Sequence, residues 1–274
     1  MRHARSSIIA AVLATLAAAM LTVAAPAEAA TANCTPDAVT SLLNGLTGGP
    51  APIGTPYTCT IPVHPGARID VDGSHGGGGG SCTANFVFRG SDGRDYIGTA
   101  GHCTLAESNI SGDVGEFADA DGAEVRDTDG RRIGQIAYAI QQEPYDFALI
   151  RLDTGIAFDN ALPHWGVPTG INTATTASPT ILHWVGHGVA IGEVLYARSG
   201  LALSMSDPDQ VAGIGLIAPG DSGGPVVDSA GRAVGVNVAL GVALGTEPGV
   251  QFITRLAPQL ARATALTGVS YTLV

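Results

Sequence analysis

Ser222 lies in Gly220-Asp221-Ser222-Gly223-Gly224-Pro225, a serine set among glycines with a carboxylate just before it. Glycine has no Cβ, so such a segment turns tightly and lets a bound molecule come close to the backbone. Its N–H groups are then free to face a developing oxyanion. A plain surface turn uses the same residue types. A serine hydroxyl is a weak nucleophile at neutral pH and needs a base within hydrogen-bond reach. His102, in Thr99-Ala100-Gly101-His102-Cys103, is such a base. Asp146 opens the apolar run Phe147-Ala148-Leu149-Ile150. A carboxylate there is costly to bury unless it is paired, which asks for a partner such as His102. A histidine before a cysteine is also a common structural or metal-binding pattern. Together the three side-chain types can carry out nucleophilic acyl transfer.

The elements that would position them are short strands. Segments 85–89 and 96–99 flank Asp92-Gly93, and 124–127 and 132–139 flank Asp129-Gly130, which are hairpin signals. Asp146 leads a strand over 147–152. A polar crossing at 163–178 precedes a second set of strands at 180–185, 191–197, 201–204, 225–227, 233–238 and 250–253. Short, evenly spaced strands in a chain with 38 glycines point to barrels rather than a parallel sheet. Residues 257–266 have helical spacing, and 38–46 could form a short helix before a proline-rich stretch.

The histidine, aspartate and serine motifs, taken in that chain order and followed by Pro248-Gly249-Val250, resemble those of secreted bacterial serine proteases of the chymotrypsin family. The resemblance covers residues 82–256. It implies an all-β fold of two six-stranded antiparallel β-barrels, with a short C-terminal helix and a separate N-terminal segment. It implies that Ser222 is the nucleophile and that His102 is the general base and then acid. Asp146 would hold the imidazole, and the N–H groups of Gly220 and Ser222 would form the oxyanion hole. Leu216 would sit at the base of the substrate pocket, with Ala239, Leu240 and Gly241 on one wall and Gly249 on the other. Leu216 is not acidic, which argues against cleavage after Arg or Lys. Asn237 stands where family members that cut after Glu carry a histidine. The expectation is therefore a secreted endopeptidase cutting after apolar side chains of medium or large size. It would act on proteins or peptides as a monomer, without a cofactor. In many relatives a freshly cut N-terminus pairs with the acid before the serine. The sequence offers no clear match, so the partner of Asp221 is open.

Two other readings use the same residues. A protease-fold binding or adhesion protein would show a broken triad or oxyanion segment, and none is broken here. A serine esterase would carry its nucleophile on a strand-to-helix elbow of the form Gly-x-Ser-x-Gly. Residues 220–224 fit that form, but the chain lacks alternating strands and helices.

Arg2 and Arg5, the apolar stretch 8–25 and Ala27-Glu28-Ala29 read as an export leader over 1–29; the alternative for the apolar run is a membrane anchor, against which its alanine content, Pro26 and the cleavage-type site argue. Residues 30–81 read as a propeptide or N-terminal extension ending in a Gly-rich linker at 76–80. The first barrel would span 82–170, and the second barrel with the C-terminal helix 171–274. Four cysteines behind a leader imply disulfides, with three possible connectivities. The resemblance implies Cys82 with Cys103 and, with that pair made, Cys34 with Cys59. The formal charge of −11 argues against nucleic acid as a partner. Past the leader no stretch is long and apolar enough to span a membrane. His183 and His187 have i,i+4 spacing, but the glycines around them read as strand and turn. Asp119-Ala120-Asp121-Gly122 and Asp127-Thr128-Asp129-Gly130 faintly resemble calcium loops and read more simply as Asp-Gly turns. The expectation is no metal site.

Overall fold

The computed structural model describes residues 34–36, 57–105, 113–119, 122–189, 196–240 and 250–274. The expected leader at 1–29, the helix at 38–46, and the pocket glycines Gly241 and Gly249 lie outside these residues. Among the described residues no helix is long and apolar enough to cross a membrane.

Strands β1 (Cys34–Pro36) and β2 (Tyr57–Cys59) pair antiparallel, with Cys34 opposite Cys59 and disulfide-bonded to it. The first half of the protein is a nine-stranded antiparallel sheet. It comprises β3 (Arg68–Val71), β4 (Gly80–Thr83), β5 (Val87–Gly90), β6 (Asp95–Thr99), β7 (Gly115–Ala118), β8 (Glu124–Arg126), β9 (Arg132–Gln142), β10 (Tyr145–Leu152) and the C-terminal β17 (Tyr271–Leu273). The order is β17-β5-β6-β10-β9-β8-β3-β4, with β7 also on β9. The second half is a closed six-stranded barrel of β11 (Thr180–Val185), β12 (Ala197–Ala202), β13 (Gln210–Ile214), β14 (Pro225–Asp228), β15 (Ala233–Leu240) and β16 (Val250–Arg255). Its order is β11-β12-β13-β16-β15-β14. Among the described residues the helices are α1 (His102–Leu105) and α2 (Leu256–Thr267).

Burial follows the strand period of two. In β3, Ile69 and Val71 face inward while Arg68 and Asp70 face out. Phe86, Phe88, Ile97, Ile133, Ile136, Ile140 and Phe147 fill the first core, and Trp184, Val226, Val234 and Ile253 fill the second. Arg255, only 2% exposed, ends β16 and donates to the carbonyls of Asn172, Ala174 and Met205. It thereby pins the segment between the two halves to the second barrel.

Two strand pairings cross the expected boundaries. Residues 68–81 are part of the first sheet, because β3 pairs with both β4 and β8. The glycine run at 76–80 is the loop joining β3 to β4, not a linker between separate pieces. Ser74 N donates to Thr104 O at 2.9 Å, and a Cβ at Gly77 would collide with the backbone of Thr104 and Leu105. Glycine there lets the loop lie directly on α1. The chain end also leaves the second barrel: β17 pairs with β5 of the first sheet. Of the strand expected at 201–204 only Leu201 and Ala202 are in a strand, as the end of β12 (Ala197–Ala202), and most of the strand expected at 191–197 lies outside the described residues.

Candidate active site

His102 opens α1, and only Ala100 and Gly101 separate it from Thr99, the last residue of β6. Asp146 is the second residue of β10 and lies opposite Gln141 of β9. Two hydrogen bonds join them. The His102 backbone N–H donates to Asp146 Oδ1 at 2.9 Å, and His102 Nδ1 donates to Oδ2 at 2.7 Å. The carboxylate in the apolar run is thus paid for by two donors, as its burial requires. Nδ1 is thereby fixed as the protonated nitrogen, which leaves Nε2 as the nitrogen able to accept a proton. His102 is buried.

The serine segment comes from the other half of the molecule, between β13 and β14. Thr83, the last residue of β4, holds it at two points. Thr83 N donates to Ser222 O at 2.8 Å, and Thr83 Oγ1 donates to Gly220 O at 2.7 Å. Gly223 lies against Thr99, Ala100 and Thr83, and a Cβ there would overlap Thr99 Oγ1. The Cys82–Cys103 disulfide links the residue before Thr83 to the residue after His102. The structure therefore brings the serine segment onto the residues that lead into His102. No hydrogen bond joins Ser222 Oγ to His102 among the described residues. Such bonds are often long or poorly aligned until substrate binds.

The amides of 220–224 are divided in a telling way. Asp221 N bonds Ala218 O at 3.0 Å, Gly223 N bonds Asn237 O at 2.7 Å, and Gly224 N bonds Asp221 O at 2.9 Å. Those of Gly220 and Ser222 make no hydrogen bond among the described residues. Gly220 holds φ at 100°, a value glycine adopts freely. Two unspent donors beside the Ser222 hydroxyl are what an oxyanion needs.

Asp221 points away from this chemistry. Its side chain is 1% exposed and forms an ion pair with Arg198 of β12. Arg198 Nη1 donates to Oδ2 at 2.6 Å while Nη2 donates to Oδ1. Gly188 N and Ala218 N add bonds of 2.8 Å each. The second Arg198 valences go to Leu216 O and Gly186 O at 3.0 Å. Arg198 and Thr83 were invisible to sequence reasoning. An arginine in a short strand reads as a solvent-facing residue, and a threonine after a cysteine carries no motif.

Of the expected pocket residues, Leu216 is 58% exposed. Ala239 and Leu240 close β15, opposite Phe252 and Gln251 of β16. Asn237 is buried, and its Oδ1 accepts from Gln251 Nε2 at 2.7 Å. Of the metal candidates, His183 bonds Ser199 Oγ and stacks on Trp165, whereas His187 packs on Tyr196. Asp127 Oδ1 accepts from the amides of Asp129 and Arg131, an Asp-Gly turn closed on itself. Among the described residues, two groups have ligand atoms close enough for an ion, Cys34, Cys59 and His64, and Cys82, His102 and Cys103. Their sulfurs are spent in disulfides and offer no thiolate.

No protein-family model matches the chain, and no curated protein matches it. Solved structures do. A glutamic acid specific serine protease described as using a histidine triad in substrate binding is 18% identical, with 77% of this chain and 100% of that one covered and a TM-score of 0.50. A Nocardiopsis protease is 16% identical, with 77% and 98% covered and a TM-score of 0.49. A serine endoprotease from Yersinia pestis is 19% identical, with 76% and 64% covered and a TM-score of 0.47. At this identity the likeness is one of fold. The chain has the almost all-β, chymotrypsin-like fold of bacterial serine proteases.

Proposed function

We propose that this chain is a secreted serine endopeptidase that hydrolyses peptide bonds through an acyl-enzyme on Ser222. The observation that carries the reading is the two-point bond between His102 and Asp146, with the unspent amides of Gly220 and Ser222 on the segment packed beside them. In the first step His102 Nε2 takes the Ser222 proton as Oγ attacks the substrate carbonyl. The carbonyl oxygen becomes an oxyanion and takes the N–H groups of Gly220 and Ser222. Asp146 stabilises the imidazolium that forms. His102 then gives its proton to the leaving amine, and the C–N bond breaks. Water, deprotonated by His102, releases the acyl group and restores Ser222. One oxyanion donor is worth about 3–4 kcal/mol in such a site.

The leader at 1–29 would send the protein out of the cell, and disulfides suit that compartment. Removal of part of 30–81 would follow export; the cut would fall before β3, since β3 belongs to the first sheet. The resemblance assigns Leu216, Ala239 and Leu240 to the walls of the substrate site, and apolar residue types there would favour medium or large side chains. The enzyme would work as a monomer on proteins or peptides, without a cofactor. The esterase elbow sits on an α/β sheet, whereas the sheets among the described residues are antiparallel. Digestion of an unfolded protein by the exported full chain tests the proposal. Wild type should produce peptides and Ser222→Ala none; equal digestion by both would refute it.

A further inference from the structure

Asn237 and Gln251 form a buried amide pair beside the proposed site. Each is 1% exposed. Both backbone groups of Asn237 are bonded to the residues that follow Ser222: its N–H donates to Gly224 O at 2.9 Å, and its carbonyl accepts from Gly223 N at 2.7 Å. Gln251 lies on the other flank. A Cβ at Gly215, just before Leu216, would come within 2.6 Å of Gln251 Oε1. Asn237 lies on β15, and Gln251 of β16 lies opposite Leu240 on one side and Gly213 on the other, so the pair adjoins the end of β15 and the chain leading into Leu216, the two stretches expected to wall the substrate pocket.

One hydrogen bond, from Gln251 Nε2 to Asn237 Oδ1 at 2.7 Å, joins the two amides. Asn237 Nδ2 is buried without a partner. Gln251 Oε1 accepts no hydrogen bond among the described residues. Rotating both amides by half a turn exchanges these roles but still leaves one donor and one acceptor unmet. Asn237 Nδ2 is the buried one of the two, and a buried polar group left unpaired is unfavourable and marks a place where a partner belongs. A donor and an acceptor side by side match a primary carboxamide, whose C=O accepts and whose NH2 donates. A carboxylate offers no hydrogen to the acceptor and brings a charge that neither amide compensates. An aliphatic side chain leaves both groups unmet.

We infer that the Asn237/Gln251 pair selects a carboxamide side chain, glutamine or asparagine, on the acyl side of the cleaved bond. The inference rests on the proposed peptidase activity and refines its pocket: apolar walls hold the methylene stem and the amide pair reads the tip. The test is a peptide series, differing only at that residue, given to the exported full chain. The series holds Gln, Asn, Glu, Leu and Phe. The better carboxamide should exceed Glu, Leu and Phe in kcat/KM by about tenfold or more, because a site built to hydrogen-bond its substrate rejects an analogue that lacks the group. Asn237→Asp removes the unmet N–H and keeps the shape; Asn237→Leu removes the polar tip altogether. Either change should lower the carboxamide-to-Leu ratio at least about tenfold. That ratio is read within one preparation, so a smaller folded fraction cancels. Preference for Leu, Phe or Glu in a wild-type protein whose Ser222 reacts with a fluorophosphonate would overturn the inference and spare the peptidase reading. So would a ratio that neither variant moves. A Ser222 that does not react would overturn both.

Discussion

Arg198 spreads its guanidinium across both carboxylate oxygens of Asp221, the residue immediately before Ser222. A strand of the second barrel thus fixes the orientation of the segment that carries Ser222 and the proposed oxyanion donors. The pair is internal to the barrel and needs no freshly cut N-terminus to supply its cation.

Arg198→Met should uncouple this segment. Removing one partner of a buried ion pair typically costs about 3–5 kcal/mol, because the other charge is left behind. The midpoint of thermal unfolding should fall by about 10 °C. Peptide hydrolysis should fall with it, even at temperatures where circular dichroism shows a folded barrel. Arg198→Lys keeps the charge but not the fork and should recover only part of the loss.

Thr83→Val tests the clamp between the two halves. The substitution keeps the side-chain shape and deletes the bond to Gly220 O. The expected result is a loss of about 1–3 kcal/mol in stability. Because Gly220 N–H is a proposed oxyanion donor, kcat should drop more than KM rises. A pure KM effect would show that Thr83 does not position the oxyanion donors.

Asp146→Asn should leave the fold intact and lower kcat by about four orders of magnitude, since the amide favours the wrong imidazole tautomer. Kinetics on any peptide the wild type cleaves would measure it.

The spread of legibility along the chain follows physical locality. The contact between His102 and Asp146 could be anticipated because a carboxylate heading an apolar strand must find a donor. Asp-Gly turns marked hairpins because their backbone preference is written in two adjacent residues. Arg198 was hidden because its role depends on where β12 lies in a closed barrel, not on its neighbours in sequence. Strands β3 and β17 escaped notice for the same reason: four and three residues carry too little periodicity to register, and both are made by pairing across the sheet. The glycine run at 76–80 misled, since a composition that suits a flexible linker also suits close packing against α1.

Stability should decline in mild acid. Burial lowers His164 and His183 to about 4, with His164 adding to the effect on His183 and Asp228 opposing it. Burial also lowers His187 to about 4, helped by His64 and opposed by Asp221. The unfolded chain binds these protons near pH 6.5, so it gains protons before the folded one does. The contribution is whole above about pH 6.5 and is lost as pH falls toward 4. Urea midpoints should therefore drop between pH 6.5 and 4, and replacing His183 with Gln should shallow that slope.

The central claim is that Ser222 is a nucleophile activated by His102. The most direct measurement is mass-spectrometric location of a fluorophosphonate on the folded, exported protein. One label on Ser222, lost in His102→Ala, is the result expected. A label on another residue, or none on folded protein, would contradict the account.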